Sequence, residues 1–175
     1  MKQGLALIFL FVSINLFAQN SNYSVDTVVI KSNVLNETRK AIVYKPYNVE
    51  KKESVNFLYL LEGEYSNHLY KELESEFGEK ISDLIVIGIN NNERRRDMLY
   101  INGASAFLDY ITTELIQTAE EGFKVKKRAL NGHSFCGSFT IYSMLNKPES
   151  FDCYIATSPT PIMDLVNLDS YSQID

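Results

Sequence analysis

Ser134 stands in the stretch Arg128-Ala129-Leu130-Asn131-Gly132-His133-Ser134-Phe135-Cys136-Gly137, which reads as a short apolar strand, a sharp turn and the start of a helix. That order describes a nucleophile elbow. The turn holds the serine in a strained backbone conformation, so its flanks must approach closely and a small residue is needed at Gly132. The strain lifts the hydroxyl clear of the sheet. It also places the Phe135 amide at a helix N-terminus, where an oxyanion can be stabilised. The usual pattern has glycine two places after the serine, whereas this chain has Cys136 there and Gly137 next, giving G-x-S-x-x-G. Taken alone, the segment is also compatible with an ordinary Gly-Ser turn between strand and helix.

The elements that must position this serine can be read outward from it. Val55–Leu61, Leu84–Ile89, Arg128–Asn131 and Tyr154–Ala156 are short apolar runs, as strands covered on both faces require. Upstream, Val25–Lys31 and Arg39–Tyr44 flank the polar stretch from Asn33 to Glu37 and predict an antiparallel hairpin. Helical spacing appears in Asn67–Phe77, through Leu69, Leu73 and Phe77. It appears again in Ala104–Ala119, through Phe107, Leu108, Ile111, Leu115 and Ile116. A third helix, Ser134–Leu145, ends before Pro148. Alternating strands and helices after a hairpin predict an α/β fold with a mostly parallel sheet between helices. Working residues in such sheets lie in loops at the carboxyl ends of the strands.

Two of those loops point to the elbow. Leu60-Leu61-Glu62-Gly63-Glu64-Tyr65 follows the first buried strand, and its glycine lets an amide, assigned to Glu64, face the Ser134 hydroxyl. With the Phe135 amide this would make a two-donor oxyanion hole. Gly88 to Asp97 follows the next strand and is long and polar, carrying Arg94, Arg95, Arg96 and Asp97.

Composition bounds the rest. Lys2, the apolar run Leu5–Phe17 and the small residue Ala18 before Gln19-Asn20-Ser21-Asn22 have the layout of a secretory signal over residues 1–18. The run is too short for a membrane span, which needs roughly 20 apolar residues. The expectation is a periplasmic or secreted protein with no membrane attachment after cleavage, folded as one domain over 19–175. The formal charge is −5 for the whole chain and −6 without Lys2, and nothing suggests nucleic-acid binding. Lys124-Val125-Lys126-Lys127-Arg128 reads as solvated loop charge. Cys136 and Cys153 are expected at opposite ends of the sheet, beyond the roughly 7 Å a disulfide allows, as two free and largely buried thiols. His68 and His133 have no partner at zinc-site spacing, so no metal and no cofactor is expected.

Together the motifs resemble the putative esterase family of α/β-hydrolases, which includes esterase D-like and siderophore-esterase-like proteins. The family's strand and D-G loop correspond to Leu58–Glu64, with Glu62 in place of aspartate. Its G-I-x-N-x-x-R-x-R-D stretch corresponds to Gly88–Asp97. Its G-A-x-x-F-x-x-F/Y-I/L-x-x-E-L helix corresponds to Gly103, Ala104, Phe107, Tyr110, Ile111, Glu114 and Leu115. Its R-x-L-x-G-H-S-x-G-G elbow is matched at Arg128, Leu130, Gly132, His133, Ser134 and Gly137, and its F-x-x-x-I-A-x-S-P-S strand at Phe151, Ile155, Ala156, Ser158 and Pro159. The resemblance implies hydrolysis of a small-molecule carboxylic ester through an acyl-enzyme on Ser134. Arg94, Arg96 and Asp97 would either orient an acidic substrate or brace the site by an ion pair. In this fold the acid and histidine of the triad follow the serine. This sequence has no histidine after His133 and stops 41 residues beyond Ser134. The expectation is therefore an incomplete hydrolase domain lacking its C-terminal strands, or else a non-catalytic binding protein on the same scaffold. Asp164 and Asp169 qualify as the acid only by elimination, and His68 is a remote substitute for the base.

Overall fold

The computed structural model describes residues 22–90, 97–98 and 103–160. The signal segment, Arg94, Arg96, Asp164 and Asp169 lie outside these residues. Six strands form one sheet in the order β1-β2-β4-β3-β5-β6. β1 (Tyr23–Ser32) and β2 (Glu37–Pro46) make the antiparallel hairpin, and β2 continues antiparallel onto β4 (Leu84–Ile89). β3 (Val55–Leu60) lies parallel between β4 and β5 (Val125–His133), and β6 (Cys153–Thr157) extends the sheet parallel to β5. The sheet is α/β and mostly parallel, as the alternation of elements predicts.

The period-two alternation of strand side chains divides the core between the two faces. Ile85, Ile87, Ile89, Phe57 and Tyr59 point into the larger cluster, while Val86, Leu58 and Leu84 point into the smaller one. α1 (Ser66–Phe77) covers the smaller face, where Tyr23, Tyr44 and Tyr70 pack together, with Tyr23 and Tyr70 ring centroids 4.4 Å apart. The larger face takes α2 (Ala104–Asp109), a π-helical segment (Tyr110–Leu115), α3 (Ile116–Ala119) and α4 (Phe135–Asn146). The π-helical segment widens the middle of the helix expected over Ala104–Ala119. Glu114 on it accepts the amides of Asn33 and Val34, tying the β1–β2 turn to the helix.

Two expectations are corrected. The basic run Lys124–Arg128 is not loop but mostly β5, and its charges are paired. Arg128 makes two 2.6 Å contacts with buried Glu120, Lys127 meets Asp152 at 2.8 Å and Lys124 meets Glu53 at 3.2 Å. Both cysteines are free, but only Cys136 is buried. Cys153 is exposed because it opens β6, which has a neighbour on one side only among the described strands.

Candidate active site

β5 ends at His133 and α4 begins at Phe135, so Ser134 alone makes the turn, at φ 54° and ψ −116°. A non-glycine residue there is strained by roughly 1–3 kcal/mol and needs neighbours that hold it. They are present on both sides. The Ser134 amide donates to the Thr157 carbonyl of β6 at 2.9 Å. The His133 amide donates to the Glu62 carboxylate at 3.0 Å, reaching across from the loop after β3. Gly132 is required for space: a Cβ there would lie 2.5 Å from the Cys136 carbonyl carbon and 2.7 Å from the Thr140 hydroxyl. Cys136 causes no crowding, because its thiol turns into the core toward the Leu61 carbonyl at 3.9 Å.

The Ser134 hydroxyl is 3.1 Å from the Thr160 hydroxyl and opens on a cleft of about 790 Å3. Leu60, Tyr65, Leu69 and Phe135 give the cleft an apolar wall, and Glu62, His68, Glu72 and His133 also line it. His68 pairs with Glu72 one helical turn along α1, at 3.1 Å. Both imidazoles therefore stand on the same cleft as the serine, while the hydroxyl's hydrogen bond goes to Thr160.

The other expected site residues fall as follows. Phe135 supplies the first amide of α4, beside the serine. Glu64 is the exposed middle residue of a 3-10 turn, Gly63–Tyr65, in which Tyr65 lines the cleft, as does Glu62 just before the turn. Gly63 is needed there for room rather than for a special dihedral, since a Cβ would come within 2.7 Å of the Ile89 carbonyl. Asp97 is 3% exposed, and both its carboxylate oxygens accept from the Arg39 guanidinium at 2.8 Å. The pair ties Asp97 to β2, which carries Arg39. Arg39 is itself 1% exposed and packs over the Phe107 ring.

Sequence reasoning missed Glu62 as a brace, Thr160 as the serine's partner and Arg39 as the partner of Asp97. Arg39 carried a signal, being two residues before Ala41 and four before Val43 and so in phase with the core face of β2. Thr160 carried a weaker one, a hydroxyl residue closing the Ser158-Pro159-Thr160 turn beyond β6.

A strained serine between a strand and a helix faces a cleft at the carboxyl end of the parallel part of the sheet. The model of the family described as Putative esterase matches residues 32–167. The chain belongs to that family. Relatives within reach of it include the siderophore triacetylfusarinine C esterase of Aspergillus fumigatus, 38% identical over 61 residues, covering 33% of this chain and 21% of that protein. The ferri-bacillibactin esterase BesA of Bacillus subtilis is 35% identical over 60 residues, again 33% of this chain and 21% of that one. An IroE-like serine hydrolase from Shewanella oneidensis superposes with a TM-score of 0.67 at 26% identity, over 78% of this chain and 51% of its own. The enterobactin and salmochelin hydrolase IroE gives 0.69 at 21% identity over 88% and 70%, a likeness of fold. The matched stretch thus spans about a fifth of these curated relatives and about half of the Shewanella protein.

Proposed function

We propose that this chain carries the nucleophile of an exported serine esterase, which hydrolyses a small-molecule carboxylic ester through an acyl-enzyme on Ser134. The observation that carries the reading is the Ser134 backbone, strained at φ 54° with its hydroxyl on the cleft. Strain of this kind concentrates where it serves a mechanism. In the reaction Ser134 Oγ bonds to the acyl carbon and the ester C–O bond breaks, and the alcohol leaves with a proton. Water then releases the acid from the serine. The amides of Phe135 and Glu64 are assigned to the oxyanion, and Arg94, Arg96 and Asp97 to orienting an acidic substrate or bracing the site by an ion pair. Residues 1–18 are assigned to export and 19–175 to the hydrolase domain. Siderophore esters lead the candidate substrates, because the matched relatives named above are siderophore esterases.

A fluorophosphonate probe read by intact mass tests this. One adduct on the chain, absent from Ser134→Ala, is the expected result, while turnover of a p-nitrophenyl ester calls for the triad acid and histidine as well. An adduct that persists in Ser134→Ala would overturn the assignment. A folded chain that binds ester ligands yet takes no adduct would instead support a binding protein on this scaffold.

A further inference from the structure

The segment that follows β6 does more than leave the sheet. Ser158 takes φ 43°, a left-handed conformation unusual for serine, and Pro159 then restricts the chain before Thr160. The Thr160 amide donates to the Ser134 carbonyl at 3.1 Å, and the Ser138 hydroxyl donates to the Thr160 carbonyl. Gly137 leaves room for the turn to come down, since a Cβ at 137 would sit 3.3 Å from the Pro159 Cα and 3.1 Å from the Thr157 carbonyl. The Thr160 backbone is therefore fixed to both ends of the first turn of α4. Its hydroxyl reaches Ser134 Oγ from a held position, although the residue itself is exposed.

We propose that Thr160 is a positioning residue for the nucleophile, donating its hydroxyl proton to Ser134 Oγ and so fixing the rotamer from which the serine attacks. The inference rests on the reading of Ser134 as nucleophile. A serine hydroxyl has one proton to give and two lone pairs with which to accept, so accepting from Thr160 leaves its own proton for a base, and a donor at 3.1 Å also favours the negative charge that develops as the proton leaves. The threonine γ-methyl limits the hydroxyl to few rotamers, which adds to the preorganisation.

The experiment is saturation kinetics of fluorophosphonate labelling on the full chain, comparing wild type with Thr160→Val and Thr160→Ser. In the labelling step Ser134 Oγ bonds to phosphorus, the P–F bond breaks, fluoride departs and the hydroxyl proton goes to solvent. Thr160→Val keeps the shape and loses the donor. Its maximal labelling rate should fall about tenfold, the upper range for one net hydrogen bond, with unchanged probe affinity. Thr160→Ser should return to within about twofold of wild type, and all melting temperatures should agree. If the valine variant melts early, Thr160→Ala against Thr160→Ser gives the same comparison. Equal rates for valine and wild type would overturn the inference while leaving Ser134 as nucleophile. A serine variant as slow as valine would overturn it too, by assigning the effect to packing of the methyl group. A wild-type chain that takes no label would remove the nucleophile reading, and Thr160 would fall with it.

Discussion

Replacing Ser134 by glycine and by alanine separates backbone strain from the chemistry of the hydroxyl. Both variants lose Oγ, so the hydrogen bond to Thr160 cancels in the comparison. What remains is the Cβ. At φ 54°, ψ −116° a residue with a Cβ is strained by roughly 1–3 kcal/mol, and glycine avoids most of that. Against it, glycine gives the unfolded chain more freedom, which costs roughly 0.5–1 kcal/mol relative to alanine. The difference leaves Ser134→Gly about 1 kcal/mol more stable than Ser134→Ala. In a domain of this size that is roughly 2–4 °C in melting temperature. At an ordinary helix position the order must reverse. Ser75, exposed within α1, is the control, with alanine about 0.5–1 kcal/mol above glycine. Urea midpoints of the four variants, with labelling absent in both Ser134 variants, provide the assay. If alanine equals or exceeds glycine at 134, the turn is not strained as described, and the argument that strain marks the nucleophile fails.

Other perturbations follow from the same structure. Arg39→Met leaves the Asp97 carboxylate buried without its two 2.8 Å contacts, and should cost roughly 3–5 kcal/mol by urea unfolding. Adding Asp97→Leu should recover most of that loss, whereas a single-variant cost under about 1 kcal/mol would mean the pair is not buried as described. Raising the pH should weaken the fold through its phenols. Burial pushes Tyr110 from 10.0 up to about 12, and burial, then the Glu120 charge, pushes Tyr59 well above its ordinary value. Because the folded state holds these protons more tightly, their contribution is complete below pH 10, and that of Tyr110 is lost as pH rises through about 12. Tyr110 alone contributes a slope of up to ~1.4 kcal/mol per pH unit in that window. Urea midpoints that stay flat from pH 10 to 11.5, or a slope unchanged in Tyr110→Phe, would contradict this.

Elements whose evidence is local were readable from the chain. The nearly continuous apolar runs of β3 and β4 and the four-residue spacing in α1 each follow from side chains close in sequence, and the structure moves these limits by one residue at most. Pairings between distant residues were not readable. Arg39 and Asp97 are 58 positions apart, and Glu62 lies 71 positions from the amide it binds, so neither partner announces the other locally. The basic stretch before Ala129 misled for a related reason. Charge at a strand's start looks solvated until Glu120 is folded back beside Arg128. Cys153 failed on topology, because burial of a strand residue depends on how many neighbours the strand has.

The elbow shows why a local motif and its long-range supports must be read together. A residue at φ 54° would relax if only its own turn held it. Here the hold comes from both neighbouring strands: the Glu62 carboxylate after β3 takes the His133 amide, and the Thr157 carbonyl of β6 takes that of Ser134. The substitution at position 136 fits the same logic. Close approach in this elbow falls at Gly132, against the Cys136 and Thr140 atoms of α4, and at Gly137, against β6 and Pro159. Position 136 faces the core instead, so a thiol fits where the usual pattern has glycine. The feature that weakened the motif in the sequence therefore leaves its geometry intact, and the spacing that matters is set by which residues the helix presents to its neighbouring strands.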